Sequence, residues 1–571
     1  MTVATAAPSR PSPLAALWRQ IGFVCAGIVA IYCVVHAFDP PRLNWGDSGS
    51  DYNVMTAGRN FARYGFLELR LTPNLIDRSV MTAADSGLIY THYPQLPDLM
   101  NGVFRSVLRM SDVVPFRFMA LLFSFGSLAF VYALVAAFWS RQSAQLALAL
   151  WVTNPLWIQH ADYLHHGPYG AFFAAGSLYF LTRFLRDERT QTLLISGLFL
   201  VFTYWASYDY WIFTPALLAV ITVVHYRRPL DRRVIRSLGT LAAFAVAALL
   251  LKLATNVWAL GGIGPFFRDL RFQFTERATD AVVRTSYADG MVPVLFGRID
   301  RYFSLLLFPI AALWLVFPLV RRRVSATANP ANPIWLLLAA LPFFLLFREM
   351  WVAQHYPFLM IVPFYAIGSA ALIVLLTESS GRLMKGVGVA LLVAIMGNAL
   401  YENGQLQRAF FDRAAIRSLG SQLDSLAPPG QQILTNHVFD RAYRYYFNRR
   451  IVSLIGHPSR DYGPALALFS DPIRPQYASS NGALLVQHKH LAEELYDKEY
   501  YYILAPYQLW DAWAHPSSYR RFLDSLVSTR DSVLTREASR VGDKLYESDF
   551  YTLWRIRPHG RSADGAVARE H

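Results

Sequence analysis

Long apolar stretches alternate with short polar connections that carry arginine, and no other feature constrains the fold of this chain as tightly. Hydrocarbon offers no water to satisfy backbone groups, so a crossing segment must be a helix of about 20 residues or belong to a closed barrel. Eleven helical spans are read before residue 402: 14–36, 115–138, 144–158, 167–185, 191–207, 211–226, 238–260, 303–320, 334–347, 358–377 and 386–401. Span 144–158 is short and contains Pro155. The first span follows Arg10 and Arg19 with no small-residue cleavage site behind it, which reads as an uncleaved signal anchor. A chain that is 54% hydrophobic and 16% charged is not low-complexity disorder, and two cysteines, Cys25 and Cys33, do not make a disulfide scaffold.

Basic residues outnumber acidic ones by 53 to 39, a balance that in a soluble chain would point to nucleic acid. Here the arginines cluster between spans, and membrane topology explains them without a nucleic-acid partner. Arg141, Arg183, Arg186, Arg189, Arg227, Arg228, Arg232, Arg233, Arg236, Arg321, Arg322, Arg323, Arg382 and Lys385 fall in short loops on one side, whereas the opposite short loops carry only Arg348. The N-terminus is therefore expected in the cytoplasm. The loop 39–114, the loop 261–302 and the segment 402–571 are then outside. Arginine greatly outnumbers lysine, which suits a GC-rich bacterial genome and a location in the bacterial inner membrane.

Residues 1–401 thus form a polytopic α-helical membrane unit, and 402–571 a soluble extracytoplasmic α/β domain with a polar tail. Strands are expected at 432–435, 451–455, 483–487, 501–505 and 552–556, and helices at 491–497 and 518–527. The segment has no phosphate-binding glycine loop and no zinc spacing. The run Tyr443, Arg444, Tyr445, Tyr446 and Phe447 reads as a half-buried surface rather than a sugar site.

The first outside loop opens with Asn44-Trp45-Gly46-Asp47-Ser48-Gly49-Ser50-Asp51-Tyr52 and continues as an amphipathic stretch ending at Gly65. Asp47 and Asp51 are four apart, which on a helix places both carboxylates on one face near its positive end. The plain alternative for Asp47 is a helix cap.

Asp47, Ser48, Tyr52, Ala57, Arg59, Asn60, Phe61 and Gly65 resemble the first-loop signature of polytopic glycosyltransferases of the GT-C class. The likeness is to the bacterial branch related to protein O-mannosyltransferases and the lipid A aminoarabinose transferase. Asp47 to Tyr52 is one residue longer than that pattern, so Asp47 and Asp51 both stay candidates for its catalytic carboxylate. The resemblance continues through Tyr90-Thr91-His92-Tyr93-Pro94, through Asn154 to Tyr163, and through Arg348-Glu349-Met350-Trp351-Val352-Ala353-Gln354-His355-Tyr356-Pro357. Where the family has an acidic-proline pair this chain has His165-His166-Gly167-Pro168, which removes an acidic role from His166 and leaves Asp162.

The resemblance implies an inverting transferase that moves a sugar from a polyprenyl-phosphate donor to an envelope acceptor, whether lipid, glycan or protein. Asp47, Asp51 and Asp162 would be catalytic, Arg348 and His355 would hold the donor phosphate, and Tyr52, Arg59, His92, Tyr93 and His166 would position substrate. The plain readings are a snorkelling anchor for Arg348, a core histidine for His355 and a helix cap for Asp209. His160, His165 and His166 lack a zinc spacing, so no metal ligand is assigned, and a divalent metal as cofactor is left open. Competing readings are a polysaccharide polymerase or ligase, which carries its large loop late in the chain, and a transporter. Lys252 is the main ionisable residue inside a span, and no related halves support transport. The topology is tested by a reporter fused after Tyr401, which should be active only outside the cytoplasm; a cytoplasmic signal there would overturn the sidedness.

Overall fold

The computed structural model describes residues 13–38, 48–75, 89, 91, 93–110, 113–226, 231–278, 295–321, 332–347 and 356–408. In the C-terminal segment it describes 419, 423, 425–426, 432–435, 451–453, 483–488, 532, 534–536, 538–548 and 551–557. In chain order the helices are α1 (Pro13–Ala37), α2 (Ser48–Tyr64), α3 (Leu96–Leu108), α4 (Val114–Phe138), α5 (Arg141–Val152), α6 (Pro155–His160), α7 (His166–Asp187) and α8 (Thr190–Ala206). After them come α9 (Asp209–Tyr226), α10 (Arg232–Ala259), α11 (Ile263–Ala278), α12 (Leu295–Phe303), α13 (Leu307–Arg321), α14 (Ile334–Leu346), a 3-10 turn Tyr356–Met360, α15 (Val362–Thr377) and α16 (Arg382–Arg408).

Among the described residues six helical segments are long and apolar enough to cross a membrane: Gln20–Ala37, Val114–Phe138, Asp209–Tyr226, Arg232–Ala259, Tyr356–Thr377 and Arg382–Gly404. Leu295–Phe303 and Leu307–Val316 make a seventh if that pair, bent by 89°, is one span. The eleven expected spans are therefore matched only in part by full-length apolar helices, for local reasons. The stretch 144–158 breaks into α5 and α6 because Asn154 caps α6, its side chain accepting from Leu156 N and Trp157 N, and Pro155 cannot continue the α5 ladder. At the bend, Ser304 adopts a left-handed backbone (φ 52°), and its Oγ accepts from Leu306 N at 3.3 Å. Helices α8 and α14 are apolar but shorter.

The bundle has two chemically different ends. At one, Arg186 donates to the carbonyl of Ala137, Arg233 pairs with Glu188 at 2.7 Å and Arg236 reaches the Thr190 hydroxyl, so the arginine loops between spans gather there. At the other lie the C-termini of α1, α8 and α10, the N-termini of α4, α7 and α9, and helices α2 and α3. Between these ends α7, α8 and α10 pack closely. A Cβ on Gly176 would lie 2.2 Å from the Phe199 ring, and one on Gly197 would lie 2.2 Å from Phe244.

The described strands are β1 (Gln432–Thr435), β2 (Ile451–Ser453), β3 (Ala483–His488), β4 (Gly542–Glu547) and β5 (Tyr551–Ile556). They form one mixed sheet in the order β2-β1-β3-β5-β4, with β1 parallel to β2 and β3, and β5 antiparallel to β3 and β4. Four of the expected strands coincide with β1, β2, β3 and β5, while 501–505 and the helices 491–497 and 518–527 lie outside the described residues. Ile433, Tyr551 and Leu553 of the sheet share a buried cluster with Tyr52, Val54 and Met55 of α2 and with Phe116 and Ala120 of α4. The sheet and the first loop therefore lie on the same side of the bundle. Leu553 is fully buried in that cluster, so Leu553→Ala should remove about 2–5 kcal/mol and lower the thermal unfolding midpoint. An unchanged midpoint would mean that the sheet does not brace α2.

Candidate functional site

Helix α2 begins with polar residues and stops at Gly65, whose positive φ of 91° suits the end of a helix and whose N–H donates to the Phe61 carbonyl. Its first turn delivers Asp51, nine-tenths buried, whose Oδ1 accepts from the backbone N–H of Leu164 at 3.0 Å. That bond fixes the first loop to the turn between α6 and α7. Two residues earlier in the same turn, Asp162 Oδ2 accepts from Arg117 Nη1 at 2.6 Å, and the same nitrogen donates to the His36 carbonyl at 3.0 Å. Arg117 is buried whereas the Asp162 carboxylate is partly exposed, so Asp162 is both reachable and held. Charge-assisted bonds of this kind stabilise by about 1.5–3 kcal/mol each.

His165 and His166 open α7. The Nδ1 atoms of the two rings face one another, and His166 Nε2 lies 2.8 Å from Asp209 Oδ2, with both side chains buried. The ring N–H is not aimed squarely at that oxygen, so the contact is electrostatic before it is a hydrogen bond, and Asp209 Oδ1 has no hydrogen-bond partner among the described residues. Aromatic rings close the box. Tyr93 stacks on His166 with centroids 5.5 Å apart, Tyr356 meets His166 edge-on at 4.5 Å, and the Tyr93 and Tyr356 hydroxyls are 3.2 Å apart. Tyr163 packs against both histidines.

Tyr93 is held from behind. Lys252 Nζ, buried near the end of α10, donates to the Tyr93 carbonyl at 2.9 Å and faces the carboxylates of Asp98 and Asp269. Asn256 donates to the Thr91 carbonyl and accepts from Gln95, and the Thr91 hydroxyl donates to Asp269 at 2.8 Å. Asp98 sits in the first turn of α3, where burial pushes its carboxyl up to about 7 against the opposing pull of Lys252.

Of the residues expected from sequence, Asp51, Asp162, Tyr93 and His166 come together at this end. Arg59 lies half-buried on α2, and Tyr52 is buried beneath the sheet. Asp47, His92, Arg348 and His355 lie outside the described residues. Sequence reasoning did not single out Arg117, and it quoted Tyr356 only as part of the resembling segment 348–357 without a role of its own. Asp209, read there as a cap, is the buried partner of His166. The signal for it was a lone carboxylate between Tyr208 and Tyr210 at the start of an apolar span. Among the described residues no group of three histidine, cysteine or acidic side chains could hold a metal ion.

Residues 98–251 match the family described as dolichyl-phosphate-mannose-protein mannosyltransferase. ArnT from Cupriavidus metallidurans bound to undecaprenyl phosphate aligns with 83% of this chain and 94% of its own at 13% identity, with a TM-score of 0.51. The archaeal oligosaccharyltransferase AglB from Archaeoglobus fulgidus, in complex with an inhibitory peptide and a dolichol-phosphate, covers 94% of this chain and 74% of its own at 11% identity (TM-score 0.51). An Archaeoglobus fulgidus oligosaccharyltransferase in complex with Zn and sulfate covers 93% and 72% at 12% identity (TM-score 0.53). No curated protein sequence matches. The likeness to GT-C glycosyltransferases is thus borne out: the fold is shared, and the family match spans α3 to α10.

The Asp98 carboxyl gives this end a pH signature. Between its ordinary value of 3.8 and the raised value of about 7 the folded chain holds a proton that the unfolded chain has lost. Folding stability from this group is therefore present at low pH and is lost as pH rises through about 7. The unfolding midpoint of wild type minus that of Asp98→Asn should fall across this window and level off above it. A flat difference would show that Asp98 ionises normally.

Proposed function

We propose that this chain is an inverting membrane glycosyltransferase that takes a sugar from a polyprenyl-phosphate donor and passes it to a hydroxyl of an envelope acceptor. The observation that carries the reading is the gathering of Asp51, the Asp162–Arg117 pair and the His166–Tyr93–Tyr356 box at the bundle end opposite the arginine loops, in a chain with the GT-C fold. The positive-inside rule supports placing that end outside the cytoplasm. The undecaprenyl phosphate and dolichol-phosphate bound by the structural neighbours support a lipid-linked donor here.

In this reading a first-loop carboxylate, Asp47 or Asp51, removes the acceptor proton as the oxygen attacks the anomeric carbon. The sugar–phosphate bond breaks with its electron pair on the phosphate, and the hydrogen-bond donors of Arg348 and His355 would offset the growing negative charge. Asp162 orients the acceptor hydroxyl. Tyr93, His92 and His166 wall the sugar site, and Arg59 and Tyr52 set α2 behind the carboxylates. The acceptor is a lipid, glycan or protein of the bacterial envelope.

The test uses purified protein in lipid nanodiscs with a panel of undecaprenyl-phosphate pentoses and hexoses, following release of undecaprenyl phosphate. Wild type should release it from at least one donor. Either Asp47→Asn or Asp51→Asn should slow release by about 10²–10⁴-fold while still binding undecaprenyl phosphate. No release from any donor, or two variants as fast as wild type, would overturn the proposal.

A further inference from the structure

A cavity runs inside the bundle below the candidate site. Helices α4, α5, α15, α14, α9 and α7 follow one another around it, each packed on the next, so it is a lumen rather than a groove on the outer face. Its lining extends from Tyr210 to Ile221 on α9 and from Ser127 to Phe138 on α4, about 17 Å on either helix at the usual rise. The centre of a water-sized sphere could move through about 100 Å³ of it. Spread over that length, this makes a bore of about 5–6 Å, wide enough for one straight hydrocarbon chain touching its walls. The walls are mostly apolar, and Ala171, Ala174 and Ala175 of α7 leave the space. A smaller cavity lined by His160, Gly167, Pro168 and Leu359 shares Trp151 and Tyr210 with the lumen and reaches the mouth of α7, where His166 stands.

Two of the lining residues bring hydrogen-bond donors into this apolar space. Trp151 Nε1 and Thr214 Oγ1 are buried and have no hydrogen-bond partner among the described residues. Thr214 lies one turn deeper than Tyr210 and about 7–8 Å deeper than Asp209 by helical rise. Other polar side chains of the wall are engaged: Ser127 donates to the Ser124 carbonyl and Asn332 to the Trp314 carbonyl. A water would need several polar partners, and plain hydrocarbon would leave both donors unmet. The lumen therefore suits a chain that is apolar along its length and carries an acceptor near its upper end.

We propose that the lumen holds one acyl chain of the sugar acceptor, with the carbonyl that links chain to headgroup accepting from Thr214 and Trp151. The acceptor is then an ester- or amide-linked lipid, and the inference rests on the glycosyl-transfer reading above. A carbonyl beside Thr214 lies about 7–8 Å below the level of Asp209, which leaves room for a small hydroxyl-bearing headgroup at the site. A polyprenyl tail has methyl branches and no hydrogen-bond acceptor, so in the lumen it would leave both donors unmet. Phe138, Trp139 and Asn332 line the far end and limit the length of the chain. Entry from the bilayer is between α14 and α15, because α14 carries Pro342 inside it and these two helices meet more sparsely than other neighbours in the ring.

The test irradiates wild type in nanodiscs with a diacylglycerol that carries a diazirine at the end of one chain, and locates the label by mass spectrometry of peptides. Label should fall on the far wall of the lumen, on Leu134, Phe138, Ile221 or Leu336. The ether-linked dialkylglycerol, which has no carbonyl, should label that wall about tenfold less. Thr214→Val, which keeps the side-chain shape without the hydroxyl, should lose labelling to the same extent. Ala174→Phe should fill the bore and abolish labelling while undecaprenyl phosphate still binds; if that variant unfolds, Thr214→Val carries the test. With the donor panel and a total bacterial lipid extract, wild type should move sugar into the lipid fraction, and Thr214→Val should do so about tenfold more slowly. Label on the outer faces of the helices only, equal labelling by ester and ether probes, or lumen labelling by a photoreactive undecaprenyl phosphate in place of diacylglycerol would overturn the proposal. Transfer of the sugar to protein or polysaccharide alone would do the same. A wild type labelled in the lumen that releases no undecaprenyl phosphate from any donor would leave the lumen a lipid site and overturn the transferase reading instead.

Discussion

The ion pair between Arg117 and Asp162 is the contact on which the end of the bundle that carries the candidate site depends. Arg117 reaches the carbonyl that ends α1, the carboxylate in the turn before α7 and, through its own backbone, the start of α4. A guanidinium removed from water is costly unless its neighbours supply acceptors, so these elements have one arrangement that satisfies it. The turn it holds also carries Leu164, whose amide binds Asp51, and His165, which begins the imidazole pair. One buried cation thereby orders the start of α2, the turn and the mouth of α7 relative to each other.

Apolar helices by themselves would give this end no specificity, because lipid tails solvate leucine as well as another helix does. The polar groups of α10 supply it. Lys252 and Asn256, one turn apart, bind the carbonyls of Tyr93 and Thr91, so the end of a membrane helix dictates the path of a loop segment distant in sequence. Tyr93 then passes that order to His166 and Tyr356.

The long spans were legible in the sequence because apolar length is a cumulative signal, which survives in α1, α4, α10 and α15. The breaks were not, since they arise from single residues: a capping asparagine before Pro155, or a left-handed Ser304. Strand β5 reads clearly because nearly all of it is buried, whereas β4 carries Asp543, Lys544 and Glu547 on a mostly exposed edge and has no apolar alternation to find. At the candidate site, the resemblance to a known pattern had pointed to Asp51, Asp162, Tyr93 and His166, which the fold brings to one end of the bundle. Arg117 and the true partner of Asp209 were hidden because each is defined by a neighbour far along the chain.

The packing of the sheet against α2 has a kinetic meaning. Tyr52 and Leu553 lie in one core although some five hundred residues separate them in sequence. Loop-closure entropy must be met before such a contact can stabilise anything, and synthesis delivers α2 long before β5 exists. The apolar face of α2 that β5 covers is therefore bare through most of translation. Completion of the membrane bundle and completion of the site end are then separate events in time, and the second waits for the β4–β5 hairpin.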